Sequence, residues 1–167
     1  MPTTGQPVPP DAEIIFRKFL LSKTPVTDLV STRISTRLPR NGNSAFLGNL
    51  VDAELPFLVF VRAGGILVRP SSQAHIQSAI FPIIAYAGQW GGDATKANPD
   101  YGGAMQLANT IIQECFNMEN EYITTDDSTT RAKIYGFDII QMPTRVEEVA
   151  SGLGRYDFSV GMTYRAV

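Results

Sequence analysis

The stretch AIFPIIAYAG, at residues 79–88, is apolar at almost every position. Alternate side chains of a strand point to opposite faces, so Ile80, Ile84 and Tyr86 would share one face, opposite Phe81. A strand that is apolar on both faces must be covered on both faces. The pattern therefore predicts a central strand whose second face needs a cover.

Two segments have the apolar spacing of amphipathic helices. The first begins after Asp11, a favourable N-terminal cap, and ends near Ser22. The second, GAMQLANTIIQECFN, covers residues 103–117 and places its apolar side chains, Cys115 among them, on one half of the helical wheel. Between the first helix and the strands, Pro25 favours a further short helical turn.

Further strands follow from alternation. RYDFSVGMTYRA, at residues 155–166, alternates apolar and polar positions almost completely, which is typical of an antiparallel strand with one buried face. LPFLVFVRAGG predicts a strand over about 56–63 and then a glycine turn, with ILVRP as a short return. Residues 33–38 are a weaker strand candidate, and residues 118–130 are predicted to be a polar loop.

The penultimate strand, RAKIYGFDIIQM, has a less regular pattern. Simple alternation places Ile134, Ile140 and Met142 on one face and Tyr135 and Phe137 on the other.

The predicted order is helix, short helix, three strands, helix and two strands. It indicates an α+β domain over residues 11–167, with a mostly antiparallel sheet of four or five strands and two helices packed on one face. Two helices cannot cover both faces, so we expect another copy of the chain to cover the second one. Residues 1–10 are predicted to be a flexible arm, and the glycine-rich loops 39–54 and 88–102 to contact partners.

Composition narrows the function classes. The 167-residue chain has a net charge of −2 and no basic footprint for nucleic acid, and it lacks an apolar run long enough for a membrane span. With one histidine and one cysteine, His75 and Cys115, there is no motif for a catalytic triad or a metal site. We therefore expect a protein that is not an enzyme and needs no cofactor or metal.

The order and spacing of these segments resemble the tail terminator (tail completion) proteins of long-tailed bacteriophages of the lambda-like type. The resemblance covers about residues 11–166. It rests on LVSTRISTRLP before LPFLVFVRAGG, the AMQLANTIIQEC helix, and TTRAKIYGFDIIQMPTRVEE before RYDFSVGMTYRA. It implies a structural virion protein without catalytic residues.

In that family a homohexameric ring sits on the head-proximal end of the tail tube, stops tube elongation and presents the surface for the head connector. The resemblance thus implies a homo-oligomer in the tail–neck region of the virion, assembled in the host cytoplasm. Its other partners would be the major tail tube protein and the head connector. DNA would pass through the lumen without its sequence being read.

Two alternatives stay open at this point. One is a head-completion or neck adaptor protein of the same virion. The other, from a different class, is a small ligand-binding or enzymatic α+β domain that uses the loop at 88–102 as a lid.

The expected subunit interface combines apolar side chains on the second sheet face with charged side chains that fix register or line the lumen. These residues are Ile80, Ile84, Tyr86, Tyr135, Phe137, Arg131, Arg155, Asp157 and Arg165.

Overall fold

A computed structural model describes residues 11–36, 55–69, 76–90, 98–124, 131–147 and 152–167. Its helices are α1 (Ala12–Leu21), α2 (Thr24–Val30) and α3 (Tyr101–Phe116). Its strands are β1 (Ile34–Ser35), β2 (Phe57–Phe60), β3 (Gly64–Arg69), β4 (Ile76–Ala87), β5 (Gln89–Trp90), β6 (Asn98–Pro99), β7 (Glu121–Thr124), β8 (Arg131–Arg145) and β9 (Gly154–Ala166). The predicted arm at 1–10 and the loop at 39–54 lie outside the described residues.

Both long helices begin at an aspartate that caps them. The Asp11 carboxylate accepts a hydrogen bond of 2.9 Å from the backbone N–H of Glu13, which confirms the predicted start of α1. The Asp100 carboxylate accepts one of 2.8 Å from the N–H of Gly103, so α3 begins two residues before the predicted start. Pro25 lies in the first turn of α2, where its missing N–H costs no helical hydrogen bond.

Among the described residues, seven strands form the main sheet; its order is β1-β2-β4-β9-β8-β7, and β3 also pairs with β4. The β1–β2 pair is parallel, and the other described pairs in this sheet are antiparallel. The sheet curls into a half-barrel. The small β5–β6 pair lies within residues 88–102, which the sequence predicts to be a loop.

The prediction of a four- or five-stranded sheet with two helices is therefore wrong, because the sheet is mixed and has seven strands and the structure describes three helices. Strand β7 lies in the segment predicted to be a polar loop, where Ile123 is its one buried residue. The predicted turn at Gly64 is absent because the chain continues along β4 as β3. The segment at Pro25, predicted to be a short helical turn, is the seven-residue helix α2.

All three helices pack on one face of the sheet. Phe16 of α1 stacks on Phe81 of β4 at 4.6 Å between ring centroids and meets Phe60 of β2 edge-on at 5.0 Å. Leu107 and Ile111 of α3 belong to the same buried cluster. We call this side of the sheet the helix face and the opposite side the outer face.

Strand β9 confirms the alternation read from its sequence. Phe158, Val160, Met162 and Tyr164 are all buried in the core on the helix face.

Strand β8 does not alternate simply, because it carries extra residues relative to β9. Ile134 pairs with Tyr164, but Gly136 pairs with Thr163, so Tyr135 is an inserted residue; similar shifts follow Ile139 and Gln141. Each such bulge reverses which side chains face the core. The bulges explain why the predicted faces of this strand are wrong: Ile134 is in the core, whereas Ile140 is exposed.

Candidate subunit interface

Part of the second face of β4 is covered by the chain itself. Tyr86 stacks on Phe57 of β2 at 4.7 Å and is only 1% exposed. Val59 and Leu153 complete this second small core, and Ile84 packs against it. Of the predicted interface residues on this strand, Tyr86 therefore does not need another copy to cover it.

Large aliphatic side chains from β4, from β8 and from the end of β2 are exposed on the outer face. Ile80 of β4 is 36% exposed, and Ile140 of β8 is 55% exposed. The two are neighbours across β9, because Ile80 pairs with Gly161 and the Ile140 side chain lies over Gly161. Val61, 43% exposed, continues the alternation of β2 and donates its N–H to the carbonyl of Pro82. We call Val61, Ile80 and Ile140 the apolar row.

Phe137 does not extend this surface. Its ring lies 4.8 Å from that of Phe19 and 5.8 Å from that of Phe16, both on α1. The bulge at Tyr135 turns Phe137 towards the helix face, so its expected place on the second face is corrected.

Arg155 and Asp157 form a bidentate ion pair on the outer face of β9. Nε and Nη2 of Arg155 each donate a hydrogen bond of 2.7 Å to one carboxylate oxygen of Asp157. The Arg155 guanidinium also lies 5.7 Å from the ring of Tyr86. The Asp157 carboxylate therefore has its cation within the same strand.

Basic and aromatic side chains collect at the other end of the outer face. Lys133 of β8 lies directly opposite Arg165 of β9. The Lys133 ammonium is 5.5 Å from the ring of Tyr122 and 5.1 Å from that of Tyr135. Arg131, two residues before Lys133 on the same strand, is exposed. We call Arg131, Lys133 and Arg165 the cationic end.

The interface residues expected from the sequence do not include Val61 and Ile140 of the apolar row, Lys133 of the cationic end, or Tyr122, whose ring lies beside Lys133. For Ile140 the sequence does contain a signal, which is Gly136, because a glycine inside a strand pattern often marks a bulge. Tyr122 could not be assigned because its strand was not predicted.

The described side chains hold little reactive chemistry. Cys115 is buried on the core side of α3, as predicted, and burial raises the pKa of its thiol, which disfavours the nucleophilic thiolate. Within the described ranges no three metal-binding side chains come together. His75 and the side chain of Trp90 lie outside the described residues.

Each helix in the described part of the chain is too short or too polar to cross a lipid bilayer. Comparison with protein-family models and with curated proteins gave no match to this chain.

Proposed function

We propose that this chain is a structural virion protein of the tail terminator class. Its copies form a ring, six to a ring, that caps the head-proximal end of the tail tube in the neck of the virion. The ring stops elongation by the major tail tube protein and presents the surface on which the head connector docks. The sequence resemblance over residues 11–166 supports this role.

The observation that carries the proposal is the apolar row. Its three large aliphatic side chains stay exposed on the outer face, with Ile80 and Ile140 adjacent across Gly161, although the chain covers Tyr86 and Phe57 on the same face. Contiguous exposed apolar residues mark interaction surfaces in soluble proteins. Full burial of one such side chain is worth about 1.5–3 kcal/mol, and these three are already about half buried, so covering the row contributes roughly 2–4 kcal/mol before the costs of association.

A matched pair of isoleucines tests whether this face holds copies together. Ile80 is 36% exposed on the outer face, and Ile14 is 41% exposed on α1. Ile80→Asp should give a folded monomer, and Ile14→Asp should assemble as wild type does, as measured by light scattering after size-exclusion chromatography. Near-ultraviolet circular dichroism checks the fold. An unchanged oligomer for Ile80→Asp would remove the outer face from the interface.

Capping itself is tested on tail tubes. Tube protein from the same phage is polymerised with and without this protein, and the tubes are measured by electron microscopy. We expect a ring at one tip and arrested growth. Continued growth, together with binding to the head connector alone, would instead assign the chain to the neck adaptors.

A further inference from the structure

Two cations face each other across the outer ends of β8 and β9. Lys133 and Arg165 are direct cross-strand partners, and like charges in that position destabilise a sheet. They cannot turn to the other face, because the residues beside Lys133, Ala132 and Ile134, are fully buried in the core. The fold holds an unfavourable charge pair in a fixed position.

The cationic end also stands apart from the other basic side chains. Seven of the ten described basic side chains bond a carboxylate or a backbone carbonyl: Arg17, Lys18, Lys23, Arg33, Arg62, Arg145 and Arg155. Arg131, Lys133 and Arg165 have no such bond within the described residues. The Nε atom of Arg165 is buried there without a hydrogen-bond partner. A buried donor left unpaired costs free energy.

Aromatic rings give these cations a cation–π attraction but no hydrogen-bond acceptor for their N–H groups. Tyr135 lies 5.1 Å from the Lys133 ammonium and 5.9 Å from the Arg165 guanidinium, close enough for cation–π attraction to both. A ring face does not replace the hydrogen bonds that ammonium and guanidinium groups make to oxyanions. An oxyanion would supply the hydrogen bonds that the rings do not.

We infer that the cationic end binds a carboxylate of a second copy of this chain. The inference rests on the proposed function, because a ring brings the outer face against a neighbour. Four described carboxylates have no partner within the described residues: Asp28, Glu114, Glu119 and Asp138. Three of them belong to α2, to α3 and to the turn after α3. Unpaired acids near the helices and unpaired cations on the outer face suit a contact between two different surfaces, as a ring requires.

A nucleic-acid phosphate is the less favoured occupant. The chain has 16 acidic and 14 basic residues, and its net charge of −2 opposes a polyanion. The same surplus of acids gives each copy carboxylates to offer its neighbour.

Zero-length cross-linking tests the inference directly. Wild-type protein labelled with ¹⁵N is mixed with unlabelled protein, allowed to exchange subunits, and treated with a carbodiimide, which joins an ammonium to a carboxylate only in contact. We expect mass spectrometry to find the Lys133 peptide linked to an acidic peptide of the other label. An oligomer in which Lys133 forms no link between copies would overturn the inference and leave the ring intact. A chain that stays monomeric at all concentrations would overturn the ring as well.

A variant pair gives a second measurement. Arg165→Gln should weaken assembly by about tenfold, the usual effect of losing one charge-assisted hydrogen bond. Arg145→Gln, the same change at an exposed arginine on the helix face, should assemble like wild type. Equal assembly of the two variants would contradict the inference. So would tight binding of a fluorescent DNA oligonucleotide that Arg165→Gln abolishes, because it would make phosphate the ligand.

Discussion

Arg155 and Asp157 are bound to each other through two hydrogen bonds of 2.7 Å between alternate residues of β9. Their side chains are 20% and 31% exposed, so water weakens the pair only in part. This pair and the Lys133–Arg165 pair lie on the same face of the sheet, but within the described residues only the first contains a carboxylate that balances its cation. Asp157 therefore neutralises Arg155, whereas Lys133 and Arg165 have no counter-charge among the described side chains.

Asp157→Asn should lower the free energy of unfolding by about 1 kcal/mol, because it removes the charge from a partly buried bidentate pair. Assembly should not change. Urea unfolding followed by circular dichroism measures the first effect and light scattering the second. Glu147→Gln is the control, since its pair with Arg145 is well exposed and should contribute almost nothing. Loss of assembly at unchanged stability would mean that Asp157 contacts another copy.

Gly154 should tolerate no side chain. A Cβ atom there would overlap the carbonyl of Asp100, the residue that caps α3, whereas a Cβ at Gly136 would meet nothing within 4 Å. We expect Gly154→Ala to lower the free energy of unfolding by about 3 kcal/mol and Gly136→Ala to change it by less than about 1 kcal/mol. Thermal unfolding of both variants decides this. Similar melting temperatures would mean that β9 does not press against the start of α3.

The elements that were predicted correctly are those whose local pattern agrees with their surroundings. Helices α1 and α3 have both a capping aspartate and an apolar stripe, and β9 buries every second side chain from Phe158 to Tyr164. Strand β7 has only Ile123 buried, which gives no readable alternation. The segment forms a strand because it pairs with β8, and the residues of β7 alone do not indicate that pairing.

The candidate site was predicted less well, for a geometric reason. The first of three register shifts, at Tyr135, reverses the faces of β8 from that residue on; Gly136 beside it indicates a bulge, but counting along the sequence does not show which residue is inserted. The juxtaposition of Lys133 with Arg165 depends on cross-strand register, which only the folded sheet sets. Cover of Tyr86 by Leu153 likewise comes from residues far apart in the chain.

Tyr164 should make stability depend on alkaline pH. Burial raises its pKa above the ordinary value, with Asp11 adding to the rise and Arg62 opposing it, and its hydroxyl donates a hydrogen bond of 2.7 Å to Oε1 of Gln77. Because the folded chain holds this proton more tightly, Tyr164 makes its full contribution to the free energy of unfolding below the unfolded pKa of about 10. That contribution is lost as the pH rises through the higher pKa of the folded chain.

Tyr164→Phe tests this account. At pH 7 the variant should be less stable by about 1 kcal/mol, because it lacks the hydrogen bond to Gln77. As the pH rises above about 10 the difference from wild type should shrink, since phenylalanine cannot ionise. Urea unfolding at several pH values measures it. A constant difference across that range would show that the Tyr164 hydroxyl titrates equally in the folded and unfolded chains.

Phe137 and Ile140 lie three residues apart on β8 but face opposite sides of the sheet, so their variants should fail in different ways. Phe137→Ala removes a ring that contacts Phe16 and Phe19 and should lower the free energy of unfolding by about 3 kcal/mol, with little effect on the affinity between folded copies. Ile140→Ala removes a side chain that is 55% exposed, so it should hardly change stability but should weaken assembly. Unfolding must be measured at concentrations too low for assembly, because association adds to apparent stability. Light scattering across a dilution series then gives the second quantity. If Phe137→Ala weakened assembly more than Ile140→Ala did, the exposed side chain of Ile140 would not belong to the interface.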